Sequence, residues 1–367
     1  MTTEPGSRAP LAPGGTIGIL GGGQLGRMLG MAAARLGLKA HIYSDEPDAP
    51  AFQVVSARTL ADYGDTRALD AFADSCDVVT FEFENVPAAT VAALAGRTPI
   101  FPGAHALAIT QDRFDEKQFI AGLGLKTAPF TAVDCIGDAE KAFARGQAPA
   151  ILKTRRLGYD GKGQAKVSNA RDAVAAFRAF GQAPGILEGF VDFAFEASVV
   201  AARARDGYFA AYDPPENFHA DGILRRSTVP SRLSAAQCEE AGNIARRIAE
   251  ALDYVGVFAV ELFVGRDGAL LVNEIAPRVH NSGHWTLEAC VTSQFEQHIR
   301  AVAGWLLGDP SRHSDAVMEN LIGDEAADWQ RLAAGGGALH LYGKSEIRPG
   351  RKMGHITRLT GPRADLI

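Results

Sequence analysis

The sequence predicts a mixed fold, an α/β region of Rossmann-like character followed by an α+β region, and three stretches carry that prediction. Near the start, the apolar run Thr16 to Leu20 leads into Gly21-Gly-Gly-Gln-Leu-Gly26, after which Met28 to Leu36 has helical spacing: strand, glycine turn, helix. In the last third, the apolar and β-branched runs Gly256 to Val264 and Ala269 to Glu274 flank Gly265-Arg-Asp-Gly268, the sequence form of an antiparallel hairpin. Between them, Thr154 to Gln164 is basic and punctuated by glycine, and has neither helical nor strand periodicity.

The hairpin is the chemically informative stretch. If its turn occupies Gly265 to Gly268, Val264 faces Ala269, and Glu261 then faces Val272 and lies diagonally from Glu274 on the same side of the sheet. Diagonal neighbours are roughly 7–8 Å apart, close enough for two carboxylates to share one small cation. Two acids on an apolar hairpin are costly without a neutralising charge. Magnesium bridging to nucleotide phosphates suits such a pair, because it favours one or two carboxylates plus phosphate oxygens. The competing reading pairs Glu261 with an arginine and leaves Glu274 at a strand end.

Length and composition set the frame. A chain of 367 residues has room for two or three domains. With 47% hydrophobic and 22% charged residues it reads as a soluble globular protein, and a net charge of −6 gives no electrostatic reason to expect nucleic acid as a partner. Cys76, Cys135, Cys238 and Cys290 are widely spaced, which suggests neither zinc nor disulfides but core thiols of a reducing cytoplasm. No apolar run approaches a membrane span, and Met1 to Pro13, without an apolar signal core, is expected to fray.

In chain order, Lys39 to Tyr43 is the second strand, with Asp45 after it. This completes a dinucleotide-type pattern, although a glycine turn before a helix can hold any phosphate or only let helix and strand pack. Asp77 to Asn85 ends a further strand and puts Glu82 and Asn85 where open α/β sheets bind ligands, unless Glu82 and Glu84 are solvated loop charges. Thr110 to Lys117 opens a helix, and a change of region is expected near residue 127, before the strand Pro129 to Asp134 and the helix Asp138 to Arg145. Ala150 to Lys153 is a strand, and the glycine loop after it can fold amides over phosphate while Lys153 and Lys162 add charge. Its alternative is a solvated hairpin.

Asn169 to Phe180 is an amphipathic helix. Gly185 to Val191 and Phe195 to Arg203 read as neighbouring strands carrying Glu188 and Glu196, two acids suited to ribose hydroxyls. Asp213 to His219 reads as a rigid polar turn before the strand Ile223 to Pro230, and Ser234 to Leu252 as a long helix. His280 and His284 have an i, i+4 spacing, but Asn281-Ser-Gly283 breaks a helix there, so zinc is disfavoured and Arg278 is read as an anion grip. The strand Ala338 to Tyr342 precedes a turn bearing Lys344, Arg348, Arg351 and Lys352, either a phosphate clamp or a solvated charged turn, before Met353 to Leu359.

Taken together, GGGQLGRM, FEFENVP, TQDRFDEK, GYDGKGQ, DPPENFH, NEIAPRVHNSGHWT and YGKSEIRPGRKMGH resemble the ATP-grasp superfamily and, within it, the N5-carboxyaminoimidazole ribonucleotide synthetase family, from about Thr16 to Thr357. The resemblance implies an ATP-grasp fold with a Rossmann-like domain at 14–127, a mobile lid at 128–193 and a C-terminal domain at 194–367 whose end is β-rich from about 316. It implies that ATP is bound by Arg113, Lys153, Gly158, Tyr159, Asp160, Gly161, Lys162, Gly163, Gln164, Glu188, Gly189, Phe190, Val191, Glu196, His219, Asn273 and Glu274. Mg2+, or Mn2+, would sit on Glu261 and Glu274. Gln24, Leu25, Glu82, Asn85, Arg278, Lys344 and Arg351 would face 5-aminoimidazole ribonucleotide, with Tyr159, Asp160, Arg278 and Lys344 in the catalytic roles.

The implied reaction is ATP-dependent carboxylation of that ribonucleotide with bicarbonate through carboxyphosphate, Asp160 orienting or deprotonating the accepting amine. A homodimer is also implied. The resemblance leads to the expectation of a further helix after the M-G-H-I motif, for which Arg358 to Ile367 leave little room. Competing readings are a formate-using glycinamide ribonucleotide transformylase of the same architecture, an NAD-dependent oxidoreductase resting on G-x-G-x-x-G, and a non-catalytic nucleotide-binding regulator.

Overall fold

The computed structural model describes residues 9–144, 149–158 and 163–362, and builds them into three sheets. The first holds β1 (Thr16–Leu20), β2 (Lys39–Ser44), β3 (Ala57–Leu60) and β4 (Val78–Phe81), parallel and in the order 3-2-1-4. β1 and β4 are buried along nearly their whole length, as continuous apolar runs in a parallel sheet covered on both faces should be. The helix Gln24–Arg35 starts directly after the glycine turn. The segment expected to fray is tied down from Leu11 onward: its amide donates to the Ala303 carbonyl at 2.8 Å and its carbonyl accepts from Trp305 Nε1 at 2.7 Å.

The second sheet is antiparallel, in the order β5 (Phe130–Val133), β8 (Gly185–Gly189), β6 (Ala150–Thr154), β7 (Gln164–Val167). Val133, Leu152 and Leu187 on one face pack with Phe177 of the helix Ala170–Ala179. Alternation along the strands sends Ile151, Lys153 and Glu188 to the other face. The helix before this sheet begins at Arg113 rather than Thr110, which ends a preceding helix, Ala104–Thr110. Asp112 caps it, accepting from the Phe114 and Asp115 amides, and also takes Arg155 Nε at 2.8 Å.

The third sheet runs β14 (Leu270–Ala276), β13 (Gly256–Gly265), β9 (Phe193–Arg203), β11 (Glu216–Ala220), β12 (Ile223–Val229), β15 (Ser314–Ile322), β17 (Lys352–Pro362), β16 (Ala338–Leu341), with β10 (Phe209–Ala211) paired to β9. Val200, Ala202, Val257 and Ala259 pack towards the helix Gln294–Ala303, whereas Val199, Ala201, Phe258 and Val260 pack towards the helix Ala235–Ala251. Glu188 and Glu196 therefore sit in different sheets, not on neighbouring strands, because Asp192 lies between the second sheet and the start of β9. Nor is Asp213 to His219 a turn throughout, since Glu216 onward pairs with β9 and β12. In place of a further helix after the M-G-H-I motif, β17 continues as strand to Pro362.

The hairpin register also differs from the expected one. Val264 pairs with Leu270 and the Gly265 amide donates to the Ala269 carbonyl at 2.8 Å, so the turn closes on Arg266 to Gly268, and a bulge at Asn273 sets Leu262 opposite Val272 but Glu261 opposite Glu274. Without the bulge Glu274 would share the face of Leu270 and Val272. The extra residue moves it to the face of Ala259 and Ala276, directly across from Glu261. Two departures from the simple register thus cancel and leave both acids on one side.

Among the described residues no helix is long and apolar enough to cross a membrane. Asp112 joins a helix cap to an ion pair, so Asp112→Ala is expected to lower unfolding free energy by about 1–3 kcal/mol. Asp115→Ala, at a side chain 44% exposed, is expected to cost under about 1 kcal/mol; chemical denaturation of both variants checks the contrast.

Candidate active site

A cleft of about 710 Å³ collects residues from all three sheets. Gln24, Leu25, Glu82 and Asn85 come from the first, Ile151, Lys153, Gly158 and Gln164 from the second, and Glu196, His219, Glu261, Asn273, Glu274, Arg278 and Lys352 from the third and its following loop. Most of the predicted site residues that fall in the described chain are thereby brought together. Tyr159, Asp160, Gly161 and Lys162 lie outside the described residues.

The opposed carboxylates form one wall. Glu274 Oε2 accepts from Arg113 Nη1 at 2.8 Å and its side chain remains 37% exposed to the cleft. Burial alone would raise its pKa, but the charge and hydrogen bond of Arg113, with Lys153 behind, hold it at about 2. Glu261 lies 3.1 Å from His280 Nε2. The Asn273 Oδ1 atom is buried without a hydrogen-bond partner, an orphaned acceptor at the bulge beside Glu274. Among the described residues no three His, Cys, Asp or Glu side chains gather into a metal cage. Two carboxylates with an idle acceptor suit Mg2+, which completes its octahedron with water and phosphate oxygens. His284 is turned into the core rather than the cleft: it is 1% exposed, its Nδ1 is 3.1 Å from Gln294 Nε2, and burial lowers its pKa well below the usual value.

Cations line the opposite side. Lys153 Nζ bonds Glu188 Oε2 at 2.8 Å, and both are nearly sealed from solvent. Burial would raise the Glu188 carboxyl, yet Lys153 and Lys117 bring it below the usual range. Glu188 therefore positions lysines, which corrects its expected role on a ribose. Its neighbours are also partly committed, since the Gly189 and Phe190 amides already donate to Pro129 and Pro149. That leaves Val191 and the carbonyls of this segment for a base edge. Gly163 has φ +69°, and a side chain there would come within 2.6 Å of Thr154 Oγ1, so this loop end needs glycine. Glu196 and His219 form a pair at 2.8 Å; burial opposes the His219 charge, but the Glu196 hydrogen bond wins and raises its pKa.

At the third wall, Glu82 is not a solvated loop charge. It is 7% exposed and accepts the amides of Gly23 and, at 2.6 Å, Gly26. Its carboxylate fills the anion position of the glycine turn, where a dinucleotide pyrophosphate would need those same donors, which counts against the oxidoreductase reading. Arg278 is held by Glu84 through two hydrogen bonds, one of 3.1 Å.

Lys344 lies behind this wall, with Nζ donating to the Lys352 carbonyl at 2.7 Å. Burial, then the nearby Arg351 charge, pulls its pKa down to about 8. Arg351 itself does not line the cleft as expected; the tight turn folds its guanidinium back onto the Glu346 carbonyl at 2.9 Å.

Sequence reasoning passed over Glu84 as the Arg278 partner, and Glu116 and Lys117 beneath the hairpin, whereas Lys352, one of the four basic residues of the expected clamp turn, does line the cleft. Glu116 Oε1 accepts the Ile275 amide at 2.7 Å, and Lys117 donates to Thr127 and to the Asn273 carbonyl at 2.6 Å. The signal for these two lay in TQDRFDEK, whose Arg113, Glu116 and Lys117 reach the hairpin. Phe193 and Phe263, stacked at 4.8 Å, add an apolar wall.

Removing Glu84 strands a guanidinium whose side chain is only 18% exposed. Glu84→Gln is expected to destabilise by about 1–3 kcal/mol, and Glu84→Gln with Arg278→Met by less than the sum of the singles; a denaturation double-mutant cycle checks it.

The comparisons agree with this geometry. Family models match residues 15–111 as a ribonucleotide synthetase preATP-grasp domain, 118–295 as an ATP-grasp domain, and 316–366 as a phosphoribosylaminoimidazole carboxylase C-terminal domain. The N5-carboxyaminoimidazole ribonucleotide synthase of Brucella melitensis is 52% identical over 355 residues, covering 96% of this chain and 98% of that protein. The crystal structure of N5-carboxyaminoimidazole ribonucleotide synthetase from Thermus thermophilus matches with a TM-score of 0.88 at 48% identity, over 94% of this chain and 93% of that one. A complex of the Aspergillus clavatus N5-carboxyaminoimidazole synthase with ADP and 5-aminoimidazole ribonucleotide matches with a TM-score of 0.89 at 30% identity, over 95% and 94%. On this evidence the chain belongs to the N5-carboxyaminoimidazole ribonucleotide synthase family of ATP-grasp enzymes.

Proposed function

We propose that this protein uses ATP and bicarbonate to carboxylate the exocyclic amine of 5-aminoimidazole ribonucleotide, giving N5-carboxyaminoimidazole ribonucleotide, ADP and phosphate. The observation that carries the reading is the direct pairing of Glu261 and Glu274 on one wall of a cleft whose other walls hold Lys153 and Arg278. Relatives sharing nearly the whole chain bear this activity's name, and one binds ADP and the ribonucleotide together.

In this scheme the adenosine lies between the second and third sheets, with Ile151, Leu224 and Phe263 as apolar walls and Val191 at the base edge. Glu196, fixed by His219 at 2.8 Å, is placed for a ribose hydroxyl. Lys153, steadied by Glu188, and the glycine loop neutralise phosphate charge. Glu261 and Glu274 would hold Mg2+, or Mn2+ in its place, which would neutralise phosphate charge on the nucleotide. Arg113, paired with Glu274, keeps that carboxylate ionised throughout the working pH range.

Bicarbonate oxygen attacks the γ-phosphorus as its bond to ADP breaks, giving carboxyphosphate; the amine nitrogen then bonds the carboxyl carbon as phosphate leaves and the amine gives up a proton, so the protein's contribution is positioning and charge rather than covalent chemistry. Arg278 serves the anionic intermediate, while Gln24, Glu82, Asn85 and Lys344 serve the ribonucleotide. Asp160, with Tyr159 beside it in the glycine loop, orients or deprotonates the amine. We further propose that residues 128–193 act as a lid closing over both ligands, and that the enzyme works as a cytoplasmic homodimer.

The reading is tested by coupled ADP release with bicarbonate and ribonucleotide each omitted in turn. Full turnover is expected only with both, and equal turnover on glycinamide ribonucleotide would overturn it. Glu261→Gln and Glu274→Gln are each expected to lower kcat by about 10²-fold or more. Lys344 loses its charge as pH rises through about 8, so affinity for the ribonucleotide is expected to fall above that pH. Lys344→Arg, which stays charged, should move the fall upward, and KM measured from pH 6.5 to 9.5 decides it.

A further inference from the structure

A chain of buried side-chain hydrogen bonds leads away from Glu261. His280 places Nε2 3.1 Å from Glu261 Oε1. On the other edge of the ring, Nδ1 accepts from the Ser282 amide at 3.3 Å and lies 2.8 Å from Ser282 Oγ. A backbone N–H can only donate, so Nδ1 is the acceptor and the ring proton sits on Nε2, facing the carboxylate. Ser282 Oγ is 2.7 Å from Ser198 Oγ, Asn217 Nδ2 donates to Ser198 Oγ at 2.9 Å, and Ser227 Oγ donates to Asn217 Oδ1 at 2.7 Å.

The directions are mutually fixed. Asn217 donates to Ser198, which leaves the Ser198 proton for Ser282 and the Ser282 proton for His280, so these protons all run towards Glu261. Ser198, Ser227 and Ser282 are fully buried and Asn217 is 5% exposed. The backbone pairing of β9, β11 and β12 does not need these hydroxyls. Such a row in an apolar sheet is costly unless every member is satisfied, and here it ends on a carboxylate at the cleft wall.

We propose that His280, Ser282 and Ser198 are positioning residues that hold Glu261 in the orientation it needs to grip a divalent cation. Partners behind a metal ligand fix its direction in this way and their loss commonly weakens binding. The inference rests on the reading of Glu261 as a metal ligand, and its test separates the two.

Mn2+ is titrated into the full-length protein with saturating ADP, free Mn2+ being followed by its electron paramagnetic resonance signal. ADP affinity is measured separately in EDTA. His280→Ala and Ser282→Ala are expected to weaken Mn2+ roughly ten-fold and to leave metal-free ADP affinity unchanged. His280→Gln, whose amide can replace Nε2 as donor, is expected to restore most of the loss. Should Ser282→Ala fail to fold, the two His280 variants, at the cleft wall, decide the matter.

Native Mn2+ affinity in His280→Ala, with Glu261→Gln losing it, overturns the positioning role alone. Native affinity in Glu261→Gln overturns the metal reading on which it stands. An equal loss of metal-free ADP binding shows a general structural role and also overturns the proposal.

Discussion

Two carboxylates facing each other across adjacent strands repel, and much of the cleft can be understood as the response to that repulsion. Arg113 takes Glu274 at 2.8 Å, His280 takes Glu261, and Lys117 lies under the bulge with its ammonium on the Asn273 carbonyl. The buried Glu116 beneath them shows the same pressure: burial first, then the Glu274 charge, raises its pKa to about 8. A site that gathers negative charge and then surrounds it with cations it shares only in part is prepared for a ligand that brings both a cation and phosphates. The separate pair Lys153 and Glu188, across the cleft, repeats the device on the second sheet.

The same logic divides the cleft by function. On the glycine-turn side, Glu82 has taken the amides that the fold offers an anion, which turns a phosphate site into an acidic wall with Arg278 and Lys344 close by. The nucleotide reading therefore belongs to the second and third sheets and the ribonucleotide reading to the first.

Much of this was legible from residues alone. β1, the glycine turn and the helix after it follow from an apolar run broken by glycine, and β13 and β14 from alternation around Gly265 to Gly268. What sequence could not give was register. Nothing local announces that Asn273 bulges, because a bulge is decided by which neighbour the strand must satisfy, here Lys117 on the Asn273 carbonyl and Glu116 on the Ile275 amide, both from the helix Arg113–Gly122. β11 was hidden for a similar reason: Pro214 and Pro215 read as a turn, and the strand beyond them forms because β9 and β12 lie on either side. For Glu82 the sequence left a ligand-binding residue and a loop charge both open, and neither reading foresaw that the fold carries it under the glycine turn. The family resemblance supplied roles that periodicity cannot, while the strand pattern alone suggested Glu188 for a ribose, where the structure pairs it with Lys153.

The central claim is a cation shared by the two opposed acids, and the most direct measurement is anomalous diffraction from crystals grown with Mn2+ and a non-hydrolysable ATP analogue. The account predicts a single strong peak within about 2.0–2.3 Å of oxygens from both Glu261 and Glu274 and of the analogue's phosphates. A peak coordinated by phosphates alone, or the two carboxylates turned away from the nucleotide, would contradict it.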